Sequence, residues 1–143
     1  FGSKDGLIRA LLARARTDEL DLLARINARY DAGPPGLQEV GLELWRWLAA
    51  EEHRALLKLW VEAYARSLVD PGGPWADFAR STVDDWLDLL ATAQPANERR
   101  TARGRARRTG VLAVLRGGLL DLLATGDVKR TKAAVQLQLL ERH

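Results

Sequence analysis

Residues 111–140 read VLAVLRGGLLDLLATGDVKRTKAAVQLQLL, and this stretch decides the fold class. Its apolar side chains recur every three or four residues, which is the period of a helix face. Gly126 and Asp127 interrupt the pattern. This pair is typical of one helix that ends in a left-handed cap and another that begins with a capping side chain. The stretch therefore predicts two consecutive helices in an all-α protein.

The same period continues through the rest of the chain, and segments rich in Pro and Gly divide it. Such breaks stand at residues 33–36, 70–74 and 94–97. No alternating strand pattern occurs. The sequence predicts a helical bundle of about six helices, which cover roughly residues 3–30, 36–49, 52–69, 75–93, 102–125 and 127–141.

The composition indicates one globular domain with few means of catalysis. The 143 residues include no Cys and only two His, and neither a phosphate-binding glycine loop nor zinc-ligand spacing is present. Asp84 and Asp88 share a helix face, for which a solvated acidic surface is a simpler explanation than a carboxylate site. No apolar run reaches the roughly 18 residues that span a bilayer. We expect no enzyme activity, metal, cofactor or membrane partner, and a cytoplasmic location.

The last two predicted helices carry more apolar surface than one small domain can bury. This surplus predicts a homodimer with a two-helix contact face. Gly117 and Gly118 each weaken a helix, so they indicate either a close approach of two backbones or a bend. The residues predicted to form the dimer face are Val111, Leu115, Gly118, Leu119, Leu122, Val135 and Leu139.

Seven of the nine aromatic residues fall between residues 45 and 86, on helical stripes that must face something apolar. Solid core packing is one interpretation. A ligand cavity between helices is the other, because Trp and Tyr combine wide rings with polar tips. Glu62 and Asp85 lie off these stripes and are expected to be solvated. The candidate pocket residues are Trp45, Trp60, Tyr64 and Trp86, with His53 as a polar contact.

Charge is distributed unevenly along the chain. Residues 99–143 hold 11 Lys and Arg against 3 Asp and Glu, a net charge of +8, whereas residues 1–98 hold 11 against 16, a net charge of −5. Six arginines lie between Arg99 and Arg108. They indicate either an anion or nucleic-acid contact or a solvated, mobile connector, and the lack of interleaved aromatics favours the connector. Positive charge opposes the dipole at a helix start, so part of the cluster is predicted as loop.

Residues 1–8, FGSKDGLI, resemble the start of the fourth helix in the TetR (tetracycline-repressor-like) family of bacterial transcription regulators. The order of later segments is also similar, and a Leu-rich helix ends in LLATGD at residues 122–127. The resemblance implies a ligand-responsive repressor with a small apolar or aromatic effector. It also implies a homodimer built as a four-helix bundle. Operator DNA would be bound by a helix-turn-helix preceding Phe1, and Lys4 would contact the DNA backbone.

On this basis, residues 1–8 are interpreted as the remnant of a junction with a DNA-binding domain, and residues 9–143 as the ligand-binding and dimerisation domain. The chain starts without Met and is expected to be the back part of a longer protein. An ordinary exposed Lys is the alternative for Lys4. A helical dimer that binds small molecules or acts as a scaffold, without regulating DNA, is the alternative function.

Overall fold

The computed structural model describes residues 4–28 and 36–140, which form seven α-helices and one turn of 3-10 helix and contain no strand. The prediction of an all-α fold is confirmed. The helices are α1 (Lys4–Ala28), α2 (Leu37–Ala49), α3 (Arg54–Val69), α4 (Phe78–Ala91), α5 (Ala96–Arg99), α6 (Ala102–Thr125) and α7 (Val128–Leu140), and the 3-10 turn, Glu51–His53, precedes α3.

The break between α6 and α7 has the predicted geometry. Gly126 is in the left-handed region with a φ of 71°, and its N–H donates to the carbonyl of Leu122 at 2.8 Å. A carboxylate oxygen of Asp127 accepts from the N–H of Arg130 at 3.1 Å, so Asp127 caps α7. The last two helices predicted from the sequence therefore form a helical hairpin.

The structure differs from the prediction in two places between α3 and α6. The fourth helix begins at Phe78 rather than Trp75, because Asp77 has a left-handed φ of 63° that a continuous helix does not allow. The single-turn α5 after Pro95 was not predicted, since four residues are too few to show a periodic pattern. The predicted helix ends at residues 29–30 and 141, and the predicted cap Ser3, lie outside the described residues.

The main core lies where α2 crosses the α6–α7 hairpin. α2 contributes Val40, Leu44 and Leu48, all 4% exposed or less. A Cβ at Gly41 would lie 3.1 Å from a methyl carbon of Leu139, so the backbone of α2 approaches α7 closely at this position. Burial of these aliphatic side chains, worth about 1.5–3 kcal/mol each, supplies the main stabilisation of the bundle.

This core contains the residues that were predicted to face a second copy. Six of them are buried within the single chain, with exposures between 1% and 9%: Val111, Leu115, Leu119, Leu122, Val135 and Leu139. Gly118 also faces inward, since a Cβ there would lie 2.8 Å from Val135 and 3.0 Å from Trp45. The prediction was wrong for these residues, because α2 supplies the cover that was expected from a partner.

α1 packs on the bundle through a second, smaller core. Ile8 and Leu12 are buried together with Ala63 of α3 and Trp75 of the turn before α4. α1 is a single helix through residues 8 and 9, so no structural break coincides with the predicted domain boundary. One face of a long helix is thus fixed to α3 and to the turn that precedes α4.

The arginine cluster forms a hydrogen-bonded corner between α4 and α6. The side chain of Gln94, 1% exposed, donates to the carbonyl of Gly104 at 2.9 Å and accepts from Arg108 at 3.0 Å. Arg99 donates to the carbonyls of Ala91 and Gln94, and Arg107 pairs with Glu98. These three arginines therefore make contacts within the corner, whereas the sequence favoured a solvated connector. The exposed members that make no described contact are Arg100, Arg103 and Arg105.

Candidate ligand-binding cleft

A cleft of about 420 Å³ opens between α1, α3 and α4. This volume lies within the usual range for small-molecule sites, roughly 300–1,000 Å³. The side chains that dominate its lining are aromatic. They are Trp47, Trp60, Trp75, Phe78 and Trp86. A concave, mostly apolar surface with a few polar groups is the form that ligand sites commonly take.

The turn between α3 and α4 positions Trp75 in the cleft wall. Ser67 of α3 accepts a buried hydrogen bond at 3.0 Å from the backbone N–H of Ala79, which ties the start of α4 to α3. The Trp75 ring meets the Phe78 ring edge-on, with centroids 5.4 Å apart. Its indole N–H is buried and has no acceptor among the described residues. Apolar packing and ring contacts therefore hold this side chain.

His53 acts on the cleft through Trp47. Its ring stacks on the Trp47 ring with centroids 4.2 Å apart, and Nδ1 donates to the Trp47 carbonyl at 2.7 Å. His53 does not line the cleft. It fixes the corner between α2 and α3, and so the orientation of an aromatic side chain that does.

The polar lining of the cleft comes mostly from α4. Ser81 and Asp85 are four residues apart, which places them on one side of α4, and Asp77 stands immediately before the helix. Thr82 also lines the cleft, and its hydroxyl donates to the carbonyl of Phe78 at 2.8 Å, which leaves the oxygen able to accept. Asp85, which was expected to be solvated, is partly exposed and lines the cleft.

The opposite wall is α1, which contributes Arg9, Leu12 and Ala13. The guanidinium carbon of Arg9 lies 4.8 Å from the centroid of the Trp75 ring, within the range of a cation–π contact. A molecule in the cleft would therefore touch α1 and α4 at the same time.

The five predicted pocket residues do not share one site. Trp60 and Trp86 line the cleft, and with Tyr64 they also border an inner cavity of only about 30 Å³, far below the size of a small-molecule site. Trp45 lies in the main core, 4% exposed, against Gly118. The cleft residues that were not selected are Trp47, in the last turn of α2, and Trp75 and Phe78, which follow the break at residues 70–74.

A second surface with functional potential is the outward side of α6 and α7. We call it the outer face. Leu120, Leu137 and Leu140 are 47%, 56% and 58% exposed. Gly117 is exposed as well, with no atom within 4 Å of a Cβ placed there. The small side chains that complete the two stripes are Ala113 and Ala124 on α6 and Ala133 on α7.

An ion pair joins the two helices beside this face. Arg130 of α7 donates to both carboxylate oxygens of Asp121 on α6, at 2.5 and 2.7 Å. These hydrogen bonds lower the pKa of Asp121, and the same carboxylate raises the pKa of Arg130. The pair thus holds the hairpin in register while both groups remain charged.

Lys4 is the first described residue of α1, and its side chain is exposed. Residues 1–3 of the proposed junction lie outside the described part of the chain. In residues 4–28 and 36–140, no group of three or more His, Asp or Glu could hold a metal ion. None of the helices in those ranges is long and apolar enough to cross a membrane.

The fold and the cleft define an all-α protein with an aromatic-lined site beside a long helix. No protein family, curated protein or solved structure matches this chain.

Proposed function

We propose that this chain is the effector-binding and dimerisation part of a ligand-responsive DNA-binding transcriptional regulator of the TetR type, acting as a repressor. The observation that carries the proposal is the aromatic cleft of about 420 Å³ with α1 as one wall. The resemblance of residues 1–8 to a regulator's junction supports the DNA-binding part of the proposal, and the cleft supports the effector-binding part.

The position of the cleft suggests how an effector acts on DNA binding. Leu12 lines the cleft and is also buried against α3, so a ligand that fills the cleft presses on the contact that holds α1. Ligand binding favours whichever position of α1 accommodates it. In a dimeric regulator the recognition helices must meet half-sites about 34–36 Å apart, so a small movement of α1 changes DNA affinity.

The outer face of α6 and α7 is the dimer surface of this proposal, in place of the inward face that the sequence suggested. Leu137 and Leu140 leave apolar surface in water that a second copy would cover. Gly117 and the neighbouring alanines allow the paired helices to approach closely. Two such hairpins related by a two-fold axis form a four-helix bundle.

Binding rather than catalysis fits the chemistry of the cleft. Its polar side chains within the described residues are Arg9, Asp77, Ser81, Thr82 and Asp85. The described lining contains no His, Lys or Cys to serve as a base or nucleophile near neutral pH. These groups are suited to orienting a bound molecule.

A dimeric small-molecule-binding or scaffold protein that never regulates DNA is the second candidate. The cleft and the outer face are both compatible with it, since neither feature requires DNA. The two functions differ in whether the complete gene product recognises a duplex sequence.

The test is selection of duplex DNA by the complete gene product, followed by fluorescence anisotropy at fixed salt concentration. The regulator predicts a preferred site with two symmetric halves about one helical turn apart. A Lys4→Ala variant should bind all duplexes more weakly without a change in preference. If the complete protein shows no sequence preference while its cleft binds small molecules, the second candidate is correct.

A further inference from the structure

We propose that the backbone of Asp77 is a switch that couples the cleft to α1. In the observed form Asp77 is left-handed and α4 begins at Phe78. In the second form Asp77 is helical and α4 begins near Trp75. A ligand in the cleft stabilises the observed form and so fixes Trp75 against α1. This inference rests on the proposed effector site and specifies how that site acts on α1.

The conformation of Asp77 is unusual for its residue type. Its φ is 63° and its ψ is 0°, and within residues 4–28 and 36–140 no other residue except glycine has a positive φ. A left-handed backbone brings the Cβ of an L-residue close to the following carbonyl oxygen, so the surroundings must hold it there. The Asp77 side chain makes no capping hydrogen bond to α4 that would offset this cost. Asp77 also lines the cleft, and strained backbone is concentrated at ligand sites.

The chain before Asp77 already has helix-like hydrogen bonds. The N–H of Ala76 donates to the carbonyl of Gly73 at 3.1 Å, and the N–H of Phe78 donates to the carbonyl of Trp75 at the same distance. Both bonds span three residues, as in a 3-10 helix, and they lead directly into the first turn of α4. Asp77 therefore stands between two segments with helical hydrogen bonding, and a change in its φ would join them.

The local sequence suits the longer helix. Pro74 fixes φ near the helical value and has no N–H, which suits the first turn of a helix. In a helix that begins there, Asp77 would lie in or beside the first turn, where its negative charge interacts favourably with the helix dipole. The local sequence thus favours the second form, whereas the packing around Trp75 favours the observed one. These opposing preferences give the turn two accessible conformations.

Trp75 transmits the change to α1. This side chain is 4% exposed and shares the smaller core with Ile8 and Leu12, and the guanidinium of Arg9 lies over its ring. Because Trp75 is two residues before Asp77, a change in the backbone of Asp77 moves the ring relative to α4. The contacts with the three residues of α1 then move α1 or break.

A ligand acts on the same part of the chain. Residues 74–78 all line the cleft, so the two forms present different walls to a bound molecule. The observed form has a cleft of about 420 Å³ and is therefore the form that a ligand occupies. A molecule that fits this wall shifts the equilibrium toward it. Bound ligand thus holds Trp75, and through it α1, in the observed position.

Two substitutions at one position set the balance between the forms. Asp77→Gly and Asp77→Ala both remove the carboxylate, so a comparison between them isolates the effect of the backbone. Glycine adopts a positive φ without steric cost, whereas alanine does not and favours a helix. Asp77→Gly should therefore hold the observed form, and Asp77→Ala should populate the second.

NMR of the ligand-free proteins measures the two populations. In Asp77→Ala the ¹³Cα shifts of Trp75 and Ala76 should move toward helical values relative to Asp77→Gly, and the unchanged protein should lie between the two variants. Amide exchange in α1 should be about twofold to fivefold faster in Asp77→Ala than in Asp77→Gly. Asp84→Gly and Asp84→Ala are the matched control pair, because Asp84 is exposed on α4 and does not line the cleft. That pair should have equal ¹³Cα shifts at Trp75 and Ala76.

Isothermal titration calorimetry with 4-tert-butylphenol, a neutral aromatic compound, measures the coupling to the cleft. We expect Asp77→Ala to bind it about threefold to tenfold more weakly than Asp77→Gly, because only a fraction of the alanine variant is in the form that binds. A saturating concentration of this compound should return the ¹³Cα shifts of Asp77→Ala to those of Asp77→Gly.

Equal affinity of the two Asp77 variants for the phenol would overturn the switch and leave the effector site in place. Tighter binding by Asp77→Ala would overturn it as well, since the ligand would then favour the second form. Ligand-free ¹³Cα shifts that are the same in both Asp77 variants would overturn the switch independently of any ligand. Failure of the unchanged protein and both variants to bind the phenol would overturn the coupling and would also remove the support that the cleft gives to the proposed function.

Discussion

The guanidinium of Arg9 covers one face of the Trp75 ring at 4.8 Å, which joins the first helix to the turn before α4. Beside this contact, Ile8 and Leu12 pack into a core shared with Trp75 and α3. α1 and the cleft are therefore parts of one packing unit. A ligand that displaces cleft side chains would therefore act on α1 directly, because those side chains are in contact with α1.

Replacing Arg9 with alanine should loosen α1. An exposed cation–π contact is worth about 0.5–1 kcal/mol, so amide hydrogen exchange in α1 should become about twofold to fivefold faster. Exchange measured by mass spectrometry checks this. Arg14→Ala is the control, because Arg14 is exposed on the same helix and does not line the cleft. Equal exchange in both variants would show that the Arg9 contact does not hold α1.

Substitutions at two neighbouring leucines of α6 distinguish an effect on folding from an effect on dimerisation. Leu119 is 2% exposed and Leu120 is 47% exposed. Leu119→Glu buries a charge in the core and should reduce the free energy of unfolding by about 4 kcal/mol or more. Leu120→Glu should leave the fold intact and convert a dimer into monomers.

Urea unfolding and sedimentation velocity measure the two effects separately. The unchanged protein should sediment as a dimer at micromolar concentration. A Leu120→Glu variant that still sediments as a dimer would mean that the outer face is not the contact surface.

Gly118→Ala should destabilise the protein although alanine favours helices. Its Cβ would lie 2.8 Å from Val135 and 3.0 Å from Trp45, and such overpacking costs about 1–3 kcal/mol. Gly110→Ala is the control on the same helix, where a Cβ meets no atom within 4 Å. That variant should be more stable by up to about 1 kcal/mol in thermal or urea unfolding. A stabilised Gly118→Ala variant would contradict the observed packing.

The ion pair between Asp121 and Arg130 should make part of the stability depend on pH. Hydrogen bonds from Arg130 lower the pKa of Asp121 in the folded protein. Its contribution is therefore fully present above the unfolded pKa, about 3.9, and is lost as the pH falls through the lower folded value. Asp121→Asn should be less stable than the unchanged protein at pH 7.

The difference between the two proteins should shrink as the pH falls below about 4. Urea unfolding across this range checks it, with Asp84→Asn as the control for removing an exposed negative charge. A stability difference that stays constant from pH 7 to pH 3 would show that the ion pair does not contribute.

The sequence predicted the helices well, because their periodic stripes and the Gly126–Asp127 break are local signals. It could not tell which stripe of α6 faces inward. Leu119 and Leu120 are adjacent and equally apolar, and only the crossing of α2 over α6 and α7 decides between them. The cleft itself could not be predicted for the same reason, since Asp85 lines it together with residues of α1, about 75 residues away in the sequence.

The most direct test of ligand binding in the cleft uses the five tryptophans as internal probes. Four of them, Trp47, Trp60, Trp75 and Trp86, line the cleft, and Trp45 lies in the main core. We predict that titration with 4-tert-butylphenol, a small apolar aromatic compound, shifts the four cleft indole signals in a ¹⁵N–¹H spectrum and leaves that of Trp45 in place. Unchanged signals throughout, or a Trp45 shift as large as the others, would contradict the account.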